Sequence, residues 1–481
     1  MKEYKVPLDI FNCEEHTPYC DEEFVERTRK TIKEVLTEHQ IEAEISSVAF
    51  GPSVATFNVV LYRRVSPKRV LLLNNDFELR LGINGIRCYL NFEDGVVGIE
   101  VPTEKRSTVE LGSLLQSQEM QSAKSNELRI VLGKDTRNRT ITCDLTKTSH
   151  TLVAGSSGAG KSVFLNSIIA SLLYKHSPKD LQLILIDPKM VEFTLYNGLP
   201  HLITGEPVTD LREGIGALGW AVAEMNRRYY LLEKMSREGT YVVNVDQYNQ
   251  RVNDESERLP KIVIIIDELA DLMLVNKREV ESRIQTLTQK SRAAGIYLIV
   301  STQRSSPEVL TGAVKVDFPT RVAFSVASEI DSRVILDCTG AQNLLGRGDY
   351  LYSRPGFGCV ERMQAPYISA ANIASLVKYI KENYPVEKDE NIARFIKMGD
   401  AKKEEESING VDPLYVHVLK IVIQANSASI SMIQRKCGIG YNKAGRIIQW
   451  MEENGYISEF DGTKSRKVFM TMEEFEEKFG K

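Results

Sequence analysis

The eight residues from Gly155 to Ser162, Gly-Ser-Ser-Gly-Ala-Gly-Lys-Ser, constrain this chain more than any others. They fit the pattern G-x-x-x-x-G-K-[ST] in full. A short apolar run, 151–154, precedes them, and an apolar-periodic segment, 162–173, follows. Strand, glycine-rich turn and helix in that order make a phosphate-binding loop. The backbone N–H groups of Gly155, Ser156, Ser157, Gly158, Ala159 and Gly160 turn inward around phosphates, and the helix start adds a favourable dipole. Lys161 then reaches the β- and γ-phosphates, and the Ser162 hydroxyl is placed to ligate Mg²⁺.

A second element supports the first. Residues 262–266 are five consecutive apolar β-branched residues, read as a buried strand that delivers Asp267 and Glu268 to its carboxyl end. Ligands of α/β sheets bind at that edge. Asp267 is expected to hold the metal shell, and Glu268 to orient and polarise the attacking water. Two further strands end the same way. LQLILIDPK, 181–189, ends at Asp187 and Lys189, and GIYLIVSTQR, 295–304, ends at Thr302 and Gln303. A polar Thr-Gln pair at a strand tip is suited to sensing a γ-phosphate.

Composition sets limits. The chain has 481 residues, 42% hydrophobic and 26% charged, with a formal net charge of −4, so any contact with nucleic acid must come from local basic patches. The seven cysteines are scattered without a C-x-x-C pair, which suits a reducing cytosol. Cys13, His16 and Cys20 are close in sequence but lack an evident fourth ligand for zinc. No apolar segment follows Met1, and no run approaches the roughly 18–20 apolar residues of a membrane span. The expectation is a cytoplasmic protein without an intrinsic membrane span.

Along the chain, 1–40 reads as an N-terminal helical segment and 41–133 as a small α+β domain of alternating strands. Residues 134–385 alternate strands and helices as a parallel α/β domain does. Residues 386–410, with KKEEE at 402–406, read as a charged linker. Residues 411–481 resume a compact pattern read as a winged helix: helices over 413–424, 429–436 and 441–454, then a wing over 456–470. On the third helix Asn442, Arg446 and Gln449 share one face, and Ile447, Ile448 and Met451 lie opposite. Asn, Arg and Gln are chemically suited to base edges in the major groove. Between 431 and 467 there are seven Lys/Arg and four Asp/Glu, so the module is locally basic. Arg435, Asn442, Lys443, Arg446 and Gln449 are the candidate DNA contacts.

These blocks together resemble the motor region of the FtsK/SpoIIIE family of bacterial DNA translocases. The resemblance rests on GSSGAGKS at 155, LIDPKMVEFTLYNGLPHL at 185–202, EMNRRY at 224–229, DELADLM at 267–273 and SRAAGIYLIVSTQR at 291–304. PTRVAFSVASEIDSRVILD at 319–337 and LLGRGDYLY at 344–352 complete the motor set. GPSVATF (51–57), GIEVP (98–102) and LGKDTRNRTITCDLTKTSHTLVAG (132–155) look like the family's α-domain and its junction to the motor, and IGYNKAGRIIQWMEENG looks like the recognition helix of its γ-domain. The resemblance implies a RecA-like P-loop ATPase core flanked by an α+β domain and a winged helix. It implies ATP and Mg²⁺ as cofactors, and a homo-hexameric ring around double-stranded DNA. ATP then lies between protomers, so a cation from the neighbour is needed. Arg292 is the first candidate and Arg333 the second. The function implied is an ATP-dependent translocase oriented by sequence, serving chromosome segregation at division or sporulation. Recruitment to the septum and partners there, a recombinase or a membrane tether, belong to the same implication. A conjugative DNA-transfer motor and a protein-secretion ATPase are the alternatives. Two features depart from the family pattern: a membrane-spanning region before the α-domain is usual, and proline usually follows the Gln-Arg pair, where Ser305 stands.

Overall fold

The structure is a computed structural model. It describes residues 4–19, 21–62, 65–148, 150–239, 241–354, 360–386, 390–398, 411, 413–437, 441–459 and 465–479; the side chains of 390, 391, 397, 398, 413, 435 and 441–443 are not among those described. The chain divides into two compact units, 1–397 and 398–481.

The first unit carries two sheets. Strands β1 (Ala43–Phe50), β2 (Val54–Leu61), β3 (Arg87–Asn91) and β4 (Val96–Pro102) form an antiparallel sheet in the order β1-β2-β4-β3. The helix Glu22–Glu38 is capped by Asp21, whose side chain accepts from the N–H of Glu23. It buries Phe24, Ile32, Val35 and Leu36 in one core with Phe57, Val59, Phe77 and Ile99. The N-terminal segment is therefore not separate: this helix belongs to the small sheet. Val6 and Phe11 ahead of it pack into the core of the larger one.

The larger sheet has nine strands: β5 (Arg129–Asp135), β6 (Thr140–Asp144), β7 (Thr151–Ala154), β8 (Leu181–Ile186), β9 (Lys261–Ile266), β10 (Ile296–Thr302), β11 (Thr320–Phe324), β12 (Asp349–Ser353) and β13 (Glu361–Gln364). Their order is β6-β5-β13-β12-β11-β7-β10-β9-β8. Strands β8, β9, β10, β7 and β11 are parallel, and the other four continue the sheet antiparallel. Both faces are covered. Leu183, Leu185, Val263 and Ile265 point into one core, and Ile184, Ile186, Ile264 and Ile266 into the other. That alternation explains why these strands read as continuous apolar runs. Register places Ile186 beside Ile266, Ile266 beside Val300, and Thr302 beside Ala154. The residues that follow these strands therefore share one edge.

Two boundaries differ from the sequence reading. Strand β5 belongs to the large sheet, and Leu111, Leu114 and Leu115 pack into its core, so the motor begins near 110 rather than at 134. The cause is long-range: β5 pairs with β13, and a Cβ at Gly133 would lie 2.0 Å from the Gln364 carbonyl, an approach only glycine permits. Within the stretch read as a linker, Glu390–Met398 is a helix whose Ile396 is buried against the motor core. Residues 399–410 lie outside the described residues.

The second unit contains helices Pro413–Ala425, Ile430–Cys437 and Tyr441–Glu453. The chain turns at Gly455, in the left-handed region at φ +72°. The bridge Ile457–Val468 then pairs the following segment with itself, and Ala428–Arg466 pairs it with the turn between the first two helices. A helix not expected from the sequence, Met472–Phe479, adds Phe475 and Phe479 to a core of Val418, Leu419, Val422, Ile433, Ile447, Ile448 and Met451.

Candidate nucleotide-binding site

The turn after β7 runs from Gly155 to Gly160 and opens the helix Lys161–Lys175. Gly160 has φ +113°, and a Cβ there would lie 2.5 Å from the backbone N of Gly348, so the position requires glycine. Gly348 in turn donates its N–H to the Ala159 carbonyl at 2.8 Å, which clips the loop to the segment before β12.

Lys161 is buried. Its Nζ donates to Ser301 Oγ at 2.7 Å, to the Asp267 carbonyl at 3.1 Å and to Asp267 Oδ1 at 3.2 Å. Burial pushes the Asp267 carboxyl up; Lys161 opposes this, and Glu192 and Asp187 reinforce it. Asp267 Oδ2 and Asp187 Oδ1 are buried without a hydrogen-bond partner, although both residues are at most 1% exposed. The Ser162 hydroxyl donates to Glu192 Oε1 at 2.6 Å, and the N–H groups of Glu192 and Phe193 donate to Asp187 Oδ2, both at 2.9 Å. Orphaned carboxylate oxygens beside a serine hydroxyl are the donor set a hard divalent cation takes, so the residues fit Mg²⁺.

Glu268 is also buried. Its Oε1 accepts from Thr302 Oγ1 at 2.6 Å and from the N–H of Ala270 at 3.3 Å; its Oε2 accepts from the N–H of Gln303 at 3.1 Å and from Lys189 Nζ at 3.2 Å. The carboxylate thus caps the helix Leu269–Lys290 while facing the same edge. The structure brings Lys161, Ser162, Asp267, Glu268 and Gln303 together. In it, Thr302 and Gln303 touch Glu268 through a hydroxyl and a backbone N–H. Glu192 escaped the sequence reading; its signal was the acidic residue five positions after Asp187.

Arg292 is not at this edge. It precedes β10, is exposed, and donates through Nε to the Thr146 carbonyl at 3.1 Å, near the amino ends of the parallel strands. Arg333, on the helix Glu329–Leu336, is exposed beside Glu329 at 4.0 Å. In the second unit Arg446 and Gln449 are exposed, with Gln449 donating to Glu453 at 2.9 Å, while Ile447, Ile448 and Met451 are buried. The side chains of Arg435, Asn442 and Lys443 lie outside the described residues, as does Cys20. Cys13 Sγ lies 3.6 Å from the carbonyls of Leu8 and Phe11.

The FtsK/SpoIIIE family model matches residues 110–307, the FtsK alpha domain matches 7–103 and the Ftsk gamma domain matches 409–471. The chain belongs to the FtsK/SpoIIIE family. A relative called DNA translocase FtsK from Caldanaerobacter subterraneus subsp. tengcongensis is 42% identical over 461 residues, covering 96% of this chain and 63% of the relative. One from Campylobacter jejuni is 40% identical over 465 residues, covering 96% of this chain and 48% of the relative. DNA translocase SftA of Bacillus subtilis is 39% identical over 454 residues, covering 94% of this chain and 46% of the relative. The chain thus spans about half to two thirds of the length of these relatives. The family's alpha-domain match ends at 103, which agrees with the motor boundary seen in the sheet. No helix among the described residues is long and apolar enough to cross a membrane.

Proposed function

We propose that the chain is an ATP-hydrolysing translocase on double-stranded DNA. The observation that carries this is the shared strand edge, where the phosphate loop, Lys161, Asp267 and Glu268 converge in a member of this family. The backbone of Gly155–Gly160 cradles the phosphates, and Lys161 leaves Asp267 for the β- and γ-phosphates. Mg²⁺ held by Ser162 and Asp267 supplies charge neutralisation of the phosphates when bound. Glu268 orients the attacking water and takes its proton.

Arg292 and the phosphate loop lie at opposite ends of the parallel strands, so Arg292 serves a neighbour's ATP rather than its own. That favours a closed ring, a homo-hexamer around DNA, with Arg333 as the second candidate. The second unit is a winged helix in which Tyr441–Glu453 enters the major groove. Arg446 and Gln449, with Asn442, Lys443 and Arg435, supply the contacts that orient movement. The role is chromosome segregation at cell division or sporulation, with recruitment to the septum by partner proteins.

The test is ATP hydrolysis with and without duplex DNA. Stimulation by duplex DNA, abolished by Lys161→Ala, is the expected result. A rate indifferent to DNA would remove the translocase reading.

A further inference from the structure

An ionised carboxylate offers about four lone-pair sites. In Glu268 four donors occupy them, two on each oxygen: Thr302 Oγ1, Ala270 N–H, Gln303 N–H and Lys189 Nζ. A base in that condition cannot accept a proton from water until one donor leaves. Three of the four are fixed. The Ala270 N–H belongs to the first turn of a helix, the Gln303 N–H to the end of β10, and the Thr302 hydroxyl, fully buried, is itself held by the N–H of Arg304 at 3.0 Å. Lys189 differs. Its side chain is 40% exposed, and it rides on a loop whose next two residues, Met190 and Val191, are 64% and 70% exposed. Met190 sits at φ +57°, a conformation that non-glycine residues rarely hold.

The other end of the same loop is tied by Glu192 to the Ser162 hydroxyl. Both ties are therefore made to groups that ATP and its metal need.

We propose that Lys189 is a phosphate-responsive gate on Glu268. Without a γ-phosphate its ammonium saturates the carboxylate and keeps it inactive. A γ-phosphate at Lys161 offers more negative charge to the same ammonium, which moves to it and frees one lone pair of Glu268 for water. ADP, lacking the γ-phosphate, leaves the gate closed. This inference rests on ATP being the substrate of the site.

Equilibrium binding of ADP and of a non-hydrolysable ATP analogue, each with Mg²⁺, tests it in wild type, Lys189→Met and Lys189→Arg. A charge-assisted contact to the γ-phosphate makes Lys189→Met lower the ATP-to-ADP affinity ratio about tenfold. ADP affinity stays unchanged, which shows the fold intact, and Lys189→Arg restores most of the ratio. A ratio unchanged in Lys189→Met, including an equal loss for both nucleotides, overturns the gate and leaves the proposed function standing. A wild type that binds neither nucleotide overturns the proposed function itself.

Discussion

Two buried charge clusters in the first unit are built alike and end differently. At the strand edge, Lys161 meets Asp267, with Asp187 and Glu192 nearby, and two carboxylate oxygens have no partner. Under the small sheet, Arg362 meets Asp349 at 2.7 Å and Glu100 at 3.4 Å, and Arg87 meets the same Glu100 at 3.3 Å. No side-chain oxygen or nitrogen of Arg87, Glu100, Asp349 or Arg362 is a buried orphan: Asp349 also accepts from the N–H of Leu345, and Arg87 donates to the Val360 carbonyl. Burial pushes the Arg362 guanidinium down, but Asp349 and then Glu100 outweigh it and hold it above its ordinary value. A satisfied cluster joins two sheets, β3 and β4 of one to β12 and β13 of the other. An unsatisfied one keeps bonding capacity for something that is not part of the chain.

The largest expected effect breaks the first cluster. Lys161→Ala should lower ATP turnover by roughly a hundredfold or more, because the developing phosphate charge loses its side-chain cation. Folding should suffer less, since Asp267, already pushed up, can take up a proton. Parallel turnover and urea-unfolding curves check both halves. The second cluster should respond the other way. Arg362→Met strands Asp349, leaves Glu100 to Arg87 alone, and should cost about 3–5 kcal/mol of stability. A small change in the unfolding midpoint would erase the distinction between the clusters.

Acid sharpens the comparison further. Burial holds His150, His176 and His201 at about 4 each, against an ordinary 6.5. The unfolded chain takes up these protons first, so their contribution is full above pH 6.5 and is lost as pH falls from 6.5 towards 4. His150 Nδ1 accepts from the N–H of Leu298 at 3.1 Å, an acceptor that Asn can mimic. His150→Asn should therefore flatten part of the slope of stability against pH; an unaltered slope would contradict the cause given. The smallest effect belongs to the exposed charge of the second unit. Arg446→Ala should cost about 1–3 kcal/mol of sequence discrimination and leave ATPase on generic DNA near normal. Equal loss of both, measured on the same DNA, would make that unit structural rather than a reader.

What the sequence made legible was local. Gly155–Ser162 and Asp267–Glu268 are read from contiguous residues whose flanking strand and helix are also contiguous. The bonds that tune them are not. Lys189 to Glu268 and Ser162 to Glu192 depend on how the turn after β8 folds back, and no periodicity encodes that. The motor boundary was misplaced for a related reason: β5 has the alternation of the strands before it, and only pairing with β13, more than two hundred residues on, assigns it. The helix Glu390–Met398 was hidden by charged composition, although Ile392 and Ile396, four apart, both pack on the motor core. Arg292 could be named from its motif, but its placement beyond the amino ends of the strands required the sheet.

The most direct test of the nucleotide site is a single-turnover measurement on Glu268→Gln. ATP should bind as in wild type or more tightly while phosphate release falls to background, because the carboxylate acts on water and not on the nucleotide. Phosphate release at the wild-type rate would contradict the account.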